Sequence, residues 1–459
     1  MTHENAWNTY GSEDIDSLER LSAEYIDFIS AGKTERECTD MIVCMAEKNG
    51  YRDLAAVIKN GEKLSEGDRV YAVNMGKAVM LFNIGGDIIN RGMNIIGSHI
   101  DSPRLDIKQD PLYESDGYAY LNTHYYGGIK KYLYVTTPLA LHGVVVKPDG
   151  EKISISIGEK DGDPVFFVSD LLIHLSKDQM EKPASKVVDG EALDIMVGTR
   201  PLKGEEKDAA KAAVLKLLKD RFGIEEDDFI SAEIEAVPAG RAREAGFDRS
   251  MILGYGQDDR CCAFPSFKAM MDVKDPKTTS CVIFVDKEEV GSLGASGMES
   301  HFFEDMVREV LDRLGTGSEL ELRRCHRNSR MLSADVNSAY DPLYPDKFEK
   351  QNSSLLGRGL VFCKYNGSRG KSGSNDANAE FIASLRRIMD GCGVVYQTAE
   401  IGRVDIGGGG TISYIPALYG MEVIDCGIPV LSMHAPHEAI SKADLYESYK
   451  GYKAFLTEA

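Results

Sequence analysis

The sequence predicts an α/β protein in which a mixed sheet is sandwiched by helices and interrupted by an inserted, strand-rich second domain. Three observations carry this. Apolar strand runs alternate with longer helical stretches both at the start of the chain and after about residue 244, the pattern of a sheet covered by helices on both faces. Between them the texture changes to short alternating runs with one charged helix. The 459 residues also exceed the roughly 100–200 usual for one domain. Residues 1–105 and 245–459 are therefore expected to form one discontinuous domain, and residues 106–244 the insert.

The elements follow in order. Ile15, Leu18, Leu21, Tyr25 and Phe28 recur at helix spacing, with Gly32 near the stop. Thr34 and Glu37 form a capping box for a second helix that runs through Met41 and Met45 to Gly50. DRVYAVNMGKAVMLFNIG reads as a hairpin turning at Met75-Gly76-Lys77, and MNIIGSHIDSPRLDIK as a strand ending near His99 and Asp101. In the insert, YLYVTT, KISISIG, PVFFVSD, ALDIMVG and FISAEIEAV read as strands, and Ala209–Phe222 as the helix. SCVIFVDKEE, RMLSADVN, GVVYQTAE, EVIDCGI and PVLSMHA resume the strand series. Ser441 caps a final helix with an aromatic face.

Composition narrows the function classes. Apolar residues make up 43% of the chain, enough for real cores, and the formal net charge is −20. Phosphate binding needs a basic face, so no nucleic-acid partner is expected. No run approaches the ~20 apolar residues of a membrane span, and MTHENAWNTYGSEDID lacks the pattern of a secretory signal. A cytoplasmic enzyme is the expectation. Nine cysteines without a CxxC pair point to reduced, mostly buried thiols, with Cys261 and Cys262 as small core residues on a helix.

Five places share one format, a β-run ending in a side chain able to hold a metal: His99, Asp258, the pair Glu288–Glu289, Asp335 and His434. In open α/β sheets ligands bind beyond the strand C-termini, so segments distant in sequence can converge there. Two histidines and three carboxylates suit Zn²⁺, and accept Mn²⁺ or Co²⁺; they suffice for two ions if one carboxylate bridges. The adjacent glutamates then divide the work, Glu289 binding metal while Glu288 acts as general base on a metal-bound water. Asp101, two residues past His99, fits an orienting role toward the imidazole. Gly291, Ser292, Gly294 and Ala295 leave room for substrate.

SHIDSP, QDDR, DKEEVGS, SADV and SMH, in this order over nearly the whole length, resemble the aspartyl aminopeptidase / vacuolar aminopeptidase I family of dizinc metallopeptidases. The resemblance implies a zinc-peptidase-like catalytic domain. It assigns His99 and Asp335 to one zinc, Glu289 and His434 to the other, Asp258 to the bridge and Glu288 to the general base. It further implies a cis bond at Asp258–Asp259, peptide substrates with a free N-terminus, and dimers formed through the insert and assembled into a dodecamer. A deacylase, a carboxypeptidase or a non-catalytic shell protein are the alternatives.

The chain departs from the family pattern at Ser338, where many members carry a histidine. His124 and His174 are both candidates for the insert histidine that reaches a neighbouring active site in the family, and Asp170 is a candidate for the same slot. Lys364, Lys371 and Arg403 are candidate cations for an acidic first residue. His3, His142, His301 and His326 read as structural, and His437 as a surface or substrate-side residue. Gly407–Thr411 lacks the lysine of a phosphate loop and reads as a tight turn near substrate backbone.

Overall fold

The computed structural model describes residues 4–459, so His3 lies outside the described residues. The chain divides into two compact units. The first comprises the chain up to Asp101, Ala242–Met433 and Glu438–Ala459; the second comprises Ser102–Arg241 and His434–His437.

The first unit is built on a nine-stranded mixed sheet. Its strands lie in the order Arg52–Asp53, Arg69–Asn74, Ala78–Asn83, Thr279–Val285, Met93–His99, Arg330–Ser333, Glu422–Gly427, Leu360–Cys363 and Tyr396–Thr398. The four central strands, from Thr279–Val285 to Glu422–Gly427, run parallel. Antiparallel partners flank them on both sides. These strands are apolar without interruption because both faces are covered. Ile96, Val282, Phe284, Leu332 and Ile424 pack into one core, while their neighbours Ile95, Cys281, Ile283, Met331 and Val423 pack into the other. The strand period of two thus assigns successive residues to opposite helical layers.

The helices that the sequence marks out form in place. Ser12–Ala31 buries Leu18, Leu21, Tyr25 and Phe28, and Gly32 follows as its C-cap. Thr34 and Glu37 close the capping box of Glu35–Lys48. The hairpin Arg69–Asn74/Ala78–Asn83 turns at Met75-Gly76-Lys77. Cys261 and Cys262 are buried on the helix Gln257–Asp272, and Ser441 accepts the Ala443 N–H at the start of Lys442–Glu458. Among the described residues no helix is long and apolar enough to cross a membrane.

The second unit is a six-stranded antiparallel sheet in the order Lys152–Ile157, Leu139–Val146, Ala232–Pro238, Arg104–Ser115, Tyr118–Tyr126 and Ile195–Gly198. The helix Ala209–Phe222 accompanies it. Two expected strands take other forms. YLYVTT starts in a short 3-10 turn, Lys131–Leu133, and makes one isolated bridge at Val135, and PVFFVSD makes only isolated bridges, at Phe166, Phe167 and Val168. Both segments carry β-branched and aromatic residues, whose strand preference reflects packing neighbours more than an intrinsic backbone bias.

Candidate metal centre

His99 ends the second of the four parallel strands, and its ring is held from two sides. Nδ1 lies 3.0 Å from the Asp101 carbonyl and 3.2 Å from the Asp101 carboxylate. Nε2 lies 3.1 Å from Asp258 Oδ1 and 4.0 Å from both Glu288 Oε2 and Asp335 Oδ1. Burial works against a charged ring here, yet Asp101 and Asp258 outweigh it and carry the imidazole well above its ordinary range.

The glutamate pair follows the neighbouring strand Thr279–Val285 on a short turn, Glu288–Val290, entered through Lys287 at φ +72° and left through Gly291 at φ +96°. A side chain would strain the second position, which is why glycine serves there. One carboxylate secures this turn: Asp101 Oδ1 accepts the Glu288 N–H and Oδ2 the Glu289 N–H, each at 3.2 Å. Asp101 therefore orients the imidazole and the glutamates together, which goes beyond the imidazole contact expected of it.

Asp258 and Asp259 stand at the head of the helix Gln257–Asp272 in non-helical conformation, joined by a cis peptide bond. The Asp258 carboxylate turns to His99. Asp259 accepts the His99 main-chain N–H at 3.4 Å through Oδ2, while its buried Oδ1 meets no donor among the described residues. Asp335 lies two residues beyond the strand Arg330–Ser333. The backbone approaches it closely, since a Cβ on Gly427 would fall 1.8 Å from the Asp335 carbonyl oxygen.

Ligand atoms of His99, Asp258 and Glu289 lie within 4.8 Å of one another, as do those of His99, Glu288 and Asp335, and those of Asp258, Asp259 and Asp335. Asp258 thus belongs to a Glu289 group and to an Asp335 group. Burial pushes Asp335 well above the usual carboxylate range, with Glu288 and Asp258 adding to the shift and His99 opposing it. Asp259 is pushed up in the same way by burial, then by Cys262 and Asp335. Buried acids crowded around one imidazole, with a carboxylate oxygen left unsatisfied, are a donor set that a divalent cation fits.

His434 is a member of none of these three groups. The strand expected to carry it is only Pro429–Val430; His434 adopts φ +63° and belongs to the short segment grouped with the second unit. Its Nδ1 is 2.9 Å from the Gly128 carbonyl. Donation from Nδ1 would leave Nε2 as the coordinating nitrogen.

The family description that matches residues 28–456 is aminopeptidase I zinc metalloprotease, M18. The chain belongs to the M18 family. A curated relative from Clostridium acetobutylicum, named "Probable M18 family aminopeptidase 1", is 56% identical over 455 residues, 99% of this chain and 98% of the relative. A crystal structure of an M18 aminopeptidase from Thermotoga maritima matches with a TM-score of 0.96 and 43% identity, covering 100% of both chains. The crystal structure of aminopeptidase I from C. acetobutylicum matches with a TM-score of 0.93 and 53% identity, again over 100% of both chains. As an M18 aminopeptidase the protein is a metalloprotease, a hydrolase of peptide bonds.

The candidate specificity residues are engaged with neighbours. Lys364 and Lys371 both pair with Asp376, the latter at 3.0 Å, and Arg403 reaches the Asp346 carbonyl at 3.4 Å. In the second unit His124 turns Nδ1 to the Tyr125 carbonyl at 2.8 Å. His174 lies on the turn Ile173–Leu175, and Asp170 accepts the Leu171 N–H at 2.9 Å. Sequence reasoning had not singled out Asp425, which accepts Thr411 Oγ1 at 2.6 Å and Ser413 Oγ at 3.1 Å beside the site. A carboxylate inside an apolar strand, EVIDCGI, was the available signal.

Proposed function

We propose that this M18 aminopeptidase removes single N-terminal residues from peptides with a free amine, using two divalent ions, zinc by preference. The observation that carries the reading is the convergence of His99, Glu288, Glu289 and Asp335, which follow the C-terminal ends of parallel strands, with Asp258 at the head of the helix Gln257–Asp272. His99 and Asp335 would hold one ion, Glu289 and His434 the other, and Asp258 both. Bound ions of this kind supply Lewis acidity and lower the pKa of a water towards ~7. Glu288 then takes the proton of the attacking water and returns it to the leaving amine. Asp101 keeps Glu288 and the His99 ring in register through the bonds described above. This division gives the adjacent glutamates different tasks, which two solvated loop residues would lack.

Cytoplasmic location and self-association complete the proposal. Leu171, Leu172, Ile173 and Leu175 are exposed together on the second unit, and clustered exposed apolar side chains mark association surfaces. The resemblance implies dimers through residues 106–244 and a dodecamer. A solved S. cerevisiae mApe1 dodecamer shares the fold, with a TM-score of 0.76 at 20% identity.

The test is a peptide offered with a free amine and with an acetylated one. Metal-loaded protein should release the first residue from the free-amine form only, and a chelator should abolish release. Cleavage of the acetylated twin at a comparable rate would point to a deacylase or carboxypeptidase instead.

A further inference from the structure

Four glycines in a row, Gly407–Gly410, precede Thr411, and the fold accounts for two of them. A Cβ on Gly407 would fall 1.9 Å from the Ile401 carbonyl oxygen, and Gly408 adopts φ +118°. Gly409 and Gly410 are different. Neither has a left-handed φ, a Cβ on either would meet nothing within 4 Å, and both are exposed. Among the described residues nothing crowds these two positions, and their bare, exposed backbone leaves room for another main chain to approach closely.

A second observation at the same place points the same way. Asn366 is 6% exposed, and its carboxamide oxygen meets no hydrogen-bond donor among the described residues. Its main-chain oxygen meanwhile accepts the Gly409 N–H at 3.0 Å. A buried acceptor without a donor costs free energy that a ligand carrying N–H groups would restore. Peptide main chain carries such donors.

The run is also tethered to the catalytic strands. Asp425 holds Thr411 and Ser413 as described, and in the sheet it sits opposite Ser333, two residues before Asp335. We propose that Gly409, Gly410 and the Asn366 carboxamide form a docking subsite for the main chain of the substrate, with Asp425 as the residue that positions it. The inference rests on the aminopeptidase reading and names where that substrate lies.

The experiment uses metal-loaded protein and a tetrapeptide. Binding is measured by calorimetry on the Glu288→Gln protein, alone and with Asn366→Leu or Gly410→Val added. Each added substitution should weaken binding about tenfold, with zinc content and melting temperature unchanged. In the Glu288-intact enzyme the same substitutions should raise the tetrapeptide KM about tenfold while kcat stays within about twofold. An aminoacyl fluorophore, which lacks main-chain amides beyond the scissile bond, should be affected less.

Unchanged binding and KM in both variants would overturn the inference. So would equal losses on the two substrates, or a loss that tracks melting temperature or zinc content, because either marks a purely structural role. A wild-type enzyme that cleaves neither substrate would instead overturn the aminopeptidase reading, and this inference with it. That outcome is visible without any variant.

Discussion

Glu288 and Glu289 are adjacent in the chain, yet their carboxylates join different groups, Glu288 with His99 and Asp335, Glu289 with His99 and Asp258. The tight turn between Lys287 and Gly291 separates them, and Asp101 holds it by two backbone N–H groups. If Glu289 binds metal and Glu288 moves the proton, replacing Glu288 alone leaves the ligand set intact. Glu288→Gln should therefore keep its zinc, measured by elemental analysis, while kcat falls by roughly 10²–10⁴. Near-normal turnover would remove Glu288 from the reaction. The pair drew attention in sequence because it stands at the end of an apolar strand, in a format shared with His99, Asp258, Asp335 and His434. The double service of Asp101 was not legible there, because the two elements it joins are 187 residues apart.

At the scale of single elements, the helix Glu319–Asn328 shows how packing overrides composition. Its sequence is strongly charged, yet it buries His326 against Phe303, at a ring separation of 5.5 Å, and Tyr419, at 4.7 Å. His326 Nε2 is buried without a hydrogen-bond partner among the described residues. Burial pushes the ring pKa down to about 4, against an opposing pull from Glu319. The folded protein then prefers neutral His326, whereas the unfolded chain binds a proton below about pH 6.5. Stability from this group is complete above that pH and is lost as pH falls towards 4, by up to about 3 kcal/mol. Thermal unfolding between pH 7 and 4 should show a shallower decline for His326→Phe than for the wild type. A parallel decline would assign the acid sensitivity to other groups. The helix itself was not marked out by the sequence reading, because it has few apolar residues; His326 was read as structural, and its stacking partners became visible only in the fold.

For the whole molecule, if the crowded acids of the candidate metal centre hold an ion, its binding is coupled to stability. A ligand that binds only the folded state stabilises it by about 4 kcal/mol at a thousand times its Kd. Removing it also leaves Asp258, Asp335 and their neighbours repelling one another in a buried place. Chelation should therefore lower the melting temperature by several degrees, and added zinc should restore it; an unchanged melting temperature would mean that the cluster holds no ion. Much of this architecture was readable beforehand. Period-two apolar runs and capped amphipathic helices determined the α/β class, the hairpin at Met75–Lys77 and the helix at Ala209–Phe222, because local pattern dictates which face must leave water. The order of motifs determined the family, since each motif carries its own chemistry. Only the tertiary structure decided which carboxylates meet His99, how Asp101 serves two elements, and which glycines face open space. Those are distances between segments far apart in the chain, and they are set by strand order and register that no local sequence pattern encodes.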